Sequence, residues 1–354
     1  MDKRVFRNRC ARLVLCGTLP LLYSLPATAD TNLDSCLLQA LQQADNSATV
    51  GELRARCQAR QDGLPAETDT LAPAAAGAGA AGAEPTGIEQ RLALEKTLDD
   101  NPWVITPHKP NYLLPITYNS NVNTEPFAFI GEQDVLEDKE AKFQISFKFP
   151  LARNLFDSGT DAYFAYTNQS YWQVYTDGIS AAFRETNHEP EVFFTKKNDW
   201  EFLGWKNSLL AAGFVHQSNG RSIPLSRSWN RIYASAMFER GNWALAIKPW
   251  YRIPEDEKTG PMDTEGDDNP DIYKYMGYGE IRLVYHNNGH VVTLMERNNL
   301  TSDSLGAVEV DYSFPLYGKM KGYVQYFYGY GESLIDYDAR TNRIGVGVAI
   351  SDWF

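Results

Sequence analysis

The chain has 354 residues, 43% of them hydrophobic and 22% charged, with a formal net charge of −12. It is long enough to bury a sizeable core, and its net acidity argues against a nucleic-acid partner. After residue 29, apolar runs such as 209–215 fall far short of the ~20 residues of a membrane-spanning helix.

Lys3, Arg4, Arg7, Arg9 and Arg12 form a basic region ahead of the apolar segment 13–25. Ala27-Thr28-Ala29 is a small-x-small cleavage site, so 1–29 read as a signal peptide. Processing at Cys16 as a lipoprotein fits less well, because Leu15 stands where a small residue is expected. Cleavage removes five basic residues and one acidic one, which moves the charge from −12 to −16. An exported chain with no spanning helix is either soluble or a closed β-barrel.

Residues 30–62 are rich in Leu, Ala, Gln and Arg and read as a short helical module. It holds Cys36 and Cys57, which an oxidising compartment would join, the alternative being two unpaired thiols. Residues 63–100 carry Ala/Gly/Pro-rich sequence and read as a linker.

From residue 111 onward, apolar and polar residues alternate. Phe143, Ile145, Phe147 and Phe149 interleave with Lys142, Gln144, Ser146 and Lys148, and Val308, Val310 and Tyr312 with Ala307, Glu309 and Asp311. This period of two predicts strands with one apolar and one polar face. The expected strands are 111–119, 139–151, 160–174, 188–197, 207–217, 228–239, 243–252, 272–286, 290–298, 304–314, 320–330 and 342–354. Most are near the ~9–11 residues that cross a bilayer. Connections at Gly241-Asn242 and Asn287-Asn288-Gly289 are tight, whereas 253–271 and 331–341 are long. Residues 101–354 therefore read as an all-β, twelve-stranded antiparallel transmembrane β-barrel, with 20 Tyr, 8 Trp and 17 Phe available for interfacial girdles and Phe354 ending the last strand. The competing architecture is an aromatic-rich β-sandwich.

His216 and Ser218 are two apart and share one strand face; Asn230 falls on the next strand. Base, nucleophile and orienting amide can meet there. Asn230 shares parity with Ile232, Ala234, Ala236 and Phe238, and His216 and Ser218 with Leu210, Ala212 and Phe214. The trio is thus expected on the lipid-facing wall, at the end of the long loops. Polar groups there are costly unless they act on lipid. His108, His188, His286 and His290 stand isolated, with no partner at metal-ligand spacing. The acidic stretch 263–271 lacks EF-hand spacing and reads as a cation site or as a solvated loop.

Several blocks of this sequence resemble the phospholipase A1 family of bacterial outer-membrane barrels. They are His216-Gln-Ser-Asn-Gly-Arg-Ser222, Ser226-Arg-Ser-Trp-Asn230, Phe183-Arg-Glu-Thr-Asn187, Lys248-Pro-Trp-Tyr251, Asp267-Asp-Asn-Pro-Asp271, Lys274-Tyr-Met-Gly277 and Gly329-Tyr-Gly-Glu-Ser-Leu-Ile-Asp-Tyr337. The resemblance spans roughly 100–354 and leaves the cysteine module and linker outside. It implies calcium-dependent hydrolysis of acyl esters of phospholipids and lysophospholipids in the outer leaflet, at the cell-surface side, by a homodimer. It places the nucleophile at Ser218, the base at His216, the orienting amide at Asn230 and an oxyanion donor at Gly220 N–H. It places calcium ligands at Ser180, Arg221, Ser226 and Asp268, and a dimer-interface position at Asn168. Ile223 stands where members of the family carry an aspartate of a second calcium site. A non-catalytic channel is the alternative, with Lys142, Gln144, Lys148, Arg231 and Glu239 lining or plugging the lumen; an adhesion barrel would rest on the long loops alone.

Overall fold

The computed structural model describes Cys57, residues 87–98 and residues 105–353, apart from 129, 132–135, 178–181, 261 and 304. Residues 1–56, 58–86, 99–104 and 354 lie outside the described residues, and with them the expected signal peptide and all of the expected cysteine module except Cys57. The chain divides into two units, Met1–Gly82 and Ala83–Phe354. In the first, Cys57 is buried and disulfide-bonded. Its expected partner, Cys36, is not among the described residues.

The second unit is the barrel. Its strands are β1 (Asn111–Asn119), β2 (Lys139–Leu155), β3 (Thr160–Trp172), β4 (Phe183–Lys197), β5 (Trp205–Ser218), β6 (Ser228–Arg240), β7 (Trp243–Ile253), β8 (Gly279–Asn287), β9 (His290–Asn298), β10 (Gly306–Tyr317), β11 (Met320–Tyr330) and β12 (Arg340–Ser351). Each pairs antiparallel with its successor, and β12 pairs with β1, which closes the sheet. Two-residue strands at Thr106–Pro107 and Glu201–Phe202 only extend β2 and β5. Closure leaves no unpaired strand edge in hydrocarbon.

The alternation sets the walls. Ile145, Phe149, Val308, Val310, Tyr326 and Ile344 are exposed, while Lys142, Ser146, Asp311, Gln325 and Arg343 on the other parity are buried. A buried charge costs several kcal/mol unless it is paired. Here the lumen charges pair with one another. Lys142 Nζ donates to Glu332 at 2.9 Å and to Gln325 at 2.7 Å. Arg184 bridges Glu140 and Asp336, and Arg343 bridges Glu140 and Glu332. Charged side chains that could line a water-filled channel are paired with one another, and Gln325 and Glu332 of this network also line a cavity of ≈ 160 Å³. Burial by itself would raise the loop carboxyl Glu332, but Arg343 and Lys142 more than offset this and hold it below the ordinary carboxylate range.

Two expectations change. The strand expected at 272–286 begins only at Gly279, and Ile272–Met276 form a short helix. Ile272 and Met276 are four apart, so one helical face buries both, in a cluster with Leu334 and Tyr337. Gly277, at φ +65, ends the helix by donating its N–H to Tyr273 O. Residues 87–98, which composition assigned to the linker, also form a helix, α1 (Gly87–Leu98). Its Gln-Arg-Leu-Ala-Leu-Glu-Lys run favours helix. α1 is tied to the barrel's short-turn end: Ile88 N–H donates to Glu239 at 2.8 Å, Arg91 to the Trp353 and Pro107 carbonyls, and Lys148 pairs with Glu95 at 2.9 Å.

Candidate active site

β5 and β6 set the site by register. His216 lies directly opposite Asn230, and Ser218 opposite Ser228. Opposed residues on one face hold their Cβ atoms ~4.5–5.5 Å apart, which brings the His216 and Asn230 side chains within reach of each other. His216 Nδ1 lies 2.8 Å from Asn230 Oδ1. An amide oxygen only accepts, so this bond puts the proton on Nδ1 and leaves Nε2 free to accept one. Ser218 follows two residues on from His216, on the same face. The face is the outer wall: Phe214 and Ile232 are exposed, whereas Val215, Arg231 and Tyr233 between them point inward and are buried.

The rim loop between β5 and β6 is held by buried Asn219. Its Oδ1 accepts from the Arg221 and Arg227 amides, and its Nδ2 donates to Leu225 O at 2.8 Å. Gly220 follows at φ +62, a left-handed conformation that a side chain would strain. A Cβ added there would lie 3.6 Å from the His188 ring. His188 is the β4 register partner of Ser218. Its Nδ1 accepts from Tyr166 Oη at 2.6 Å, with Asn168 Nδ2 at 3.4 Å. His188 is therefore not isolated but part of the site's border. His108 and His290 also have partners, Glu191 and Tyr312.

Of the expected calcium ligands, Ser226 and Asp268 come together. Ser226 Oγ donates to Asp268 Oδ2 at 2.5 Å. The other carboxylate oxygen, Oδ1, accepts from Lys258 Nζ. Arg221 sits on the same rim loop as Ser226, and its guanidinium donates to the Phe183 and Arg184 carbonyls. Ser180 lies outside the described residues. The long loop after β7 is fastened to β6 through buried Asn269, whose Oδ1 accepts the Ser228 N–H at 3.1 Å. Asp267 pairs instead with Arg252. Among the described residues no cluster of three or more His, Cys, Asp or Glu has metal-binding geometry.

Sequence reasoning missed Glu255 and Lys258. Asn230 Nδ2 donates to Glu255 Oε1 at 3.0 Å. Both lie in an irregular loop, where no periodicity reports which way a side chain points. The one available signal was parity, since Glu255 is two residues beyond Ile253, the β7 partner of Asn230.

Comparison with known proteins places this arrangement. The family model described as Phospholipase A1 matches residues 88–350. Phospholipase A1 of Escherichia coli (strain K12) is 39% identical over 255 residues, covering 72% of this chain and 84% of the relative. The solved Salmonella typhi outer membrane phospholipase, a dimer with bound calcium, is 40% identical with a TM-score of 0.66, over 72% of this chain and 94% of that one. An Escherichia coli outer membrane phospholipase A in which an active-site asparagine is replaced by alanine superposes with a TM-score of 0.66 at 39% identity, over 72% and 95% of the two chains. The chain belongs to the phospholipase A1 family, as an outer-membrane β-barrel enzyme that hydrolyses phospholipids.

Proposed function

We propose that Ser218 is the nucleophile, His216 the general base and Asn230 the orienting amide of a lipid-facing serine esterase. The observation that carries this reading is the His216 Nδ1–Asn230 Oδ1 bond on the outer wall, beside Ser218. That an asparagine belongs to the active site of the Escherichia coli relative supports it.

His216 Nε2 takes the proton from Ser218 Oγ as the oxygen attacks the ester carbonyl. The C–O bond to the glycerol oxygen then breaks, and His216 returns its proton to that oxygen. Water, deprotonated by His216 in turn, releases the fatty acid from Ser218. The Gly220 N–H is the donor to the tetrahedral oxyanion. Exposed Phe214, Ile232 and Tyr251 flank the site and supply an apolar wall for the acyl chain. A lysophospholipid presents the same ester and is accepted as well.

Calcium is the proposed cofactor. Ser226 and Asp268 are oxygen donors within hydrogen-bond reach of each other, and Asp268 already holds a cationic group, so they fit a hard cation. Ser226 and Asp268, with the carbonyls of Ser180 and Arg221, would hold the ion. When bound, it supplies positive charge near the developing oxyanion. The active form is a homodimer, by analogy with the Salmonella typhi relative, with half-buried Asn168 on the shared wall. Ile223 brings no side-chain oxygen, so no second calcium site is assigned.

The test is fatty-acid release from micellar phospholipid. Ser218→Ala is expected to abolish it while the barrel still folds, and a chelator to suppress the wild type. Undiminished release by the variant removes Ser218 from the mechanism.

A further inference from the structure

An asparagine in the orienting role has a weakness that an aspartate lacks. Its two ends differ. With Oδ1 toward His216, the imidazole keeps its proton on Nδ1 and is a base at Nε2. With the amide turned over, Nδ2 would donate to Nδ1, the proton would move to Nε2, and no base would face Ser218. Asparagine also carries no charge to stabilise the imidazolium that forms when His216 takes the serine proton. A carboxylate on the far side of the amide would both select one orientation and supply charge.

Glu255 is placed for both. Its Oε1 accepts from Asn230 Nδ2 at 3.0 Å while Asn230 Oδ1 faces His216 Nδ1 at 2.8 Å. An ionised carboxylate accepts only. Turning the amide over would set Asn230 Oδ1 against Glu255 and break both bonds together. Glu255 lies just past β7, two residues beyond the register partner of Asn230, so the sheet brings it to this wall. It is only partly buried, which keeps the cost of its charge low.

We infer that Glu255 is a positioning residue of the hydrolytic site, holding the Asn230 amide with its oxygen toward His216 and placing a negative charge one hydrogen bond beyond it. The inference rests on the Ser218-His216-Asn230 reading. The chain Ser218, His216, Asn230, Glu255 thus ends on a carboxylate, displaced by one residue from where an aspartate would put it.

The experiment is a cycle at positions 230 and 255 in the full-length protein in micelles, with kcat and KM measured separately. Glu255→Ala is expected to lower kcat about tenfold or more at unchanged KM, and Glu255→Gln, which keeps an acceptor of the same shape, less. Asn230→Asp sets two carboxylates against each other and is expected to lower kcat similarly. Adding Glu255→Gln to Asn230→Asp offers the new carboxylate an amide donor and is expected to restore kcat to within about threefold of wild type. The rate of Ser218 modification by a long-chain sulfonyl fluoride should follow kcat, and the isosteric Glu255→Gln keeps the comparison open if the alanine variant misfolds. Additive losses in the double variant, or kcat within about twofold of wild type in Glu255→Ala, would overturn the inference. An active Ser218→Ala would instead overturn the underlying triad.

Discussion

Lys258 places its ammonium on one oxygen of the Asp268 carboxylate while the Ser226 hydroxyl donates to the other. A tethered cation therefore occupies the carboxylate proposed to bind calcium. On that proposal, Lys258 competes with the ion for the Asp268 carboxylate. Lys258→Met removes this competitor, and calcium affinity measured by titration calorimetry is expected to rise about tenfold, with the calcium concentration for half-maximal activity falling in step. Unchanged affinity would place calcium elsewhere.

Asn230→Ala leaves the His216 Nδ1 proton without its acceptor and frees the imidazole tautomer. The expected loss in kcat is about 10²-fold or greater, with KM nearly unchanged, because the bond matters when charge develops on His216. Residual activity should exceed that of Ser218→Ala, measured in the same micellar assay.

Gly220→Ala tests the rim turn. At φ +62, an alanine costs roughly 1–2 kcal/mol of backbone strain, and its methyl group would approach His188. Hydrolysis is expected to fall about tenfold or more while heat-modifiable gel mobility still reports a folded barrel. Full activity would exclude the Gly220 N–H from the oxyanion contact.

Glu332 is one carboxyl through which buried ion pairs couple stability to acid. Its carboxyl is held below its ordinary 4.5, so its contribution is fully present above that value and is lost as pH falls through the lower folded-state value. Glu332→Gln leaves Lys142 and Arg343 short of a partner in a buried site and is expected to cost about 3 kcal/mol near neutral pH. Because the variant has lost the titrating group, its unfolding free energy should change less than the wild type's between pH 6 and the acid limit. Parallel curves, from denaturant unfolding in micelles, would assign the acid sensitivity to other carboxylates.

The run Ile272-Tyr-Lys-Tyr-Met276 is rich in residue types that favour strand, but Ile272 and Met276 are buried with Leu334 and Tyr337 on one face of a helical turn. The helix Gly87–Leu98 follows directly on linker-like sequence. His188 looked isolated because its partners, Tyr166 and Asn168, lie on the neighbouring strand β3, where spacing along the chain says nothing about proximity.

What the amino-acid order determined by itself was most of what a period of two carries: all but the start of one strand, the lipid and lumen walls, and His216, Ser218 and Asn230 on one outer patch. A pleated strand turns alternate side chains to opposite faces, so parity and a plausible hairpin suffice. Only the tertiary structure decided what reaches that patch from outside the ladder. Glu255 meets Asn230 just beyond the end of β7, and Lys258 meets Asp268 within the loop that follows, which Asn269 pins to Ser228. Loop backbone has no repeat that aims a side chain, so these contacts follow from where the closed barrel brings its loops together.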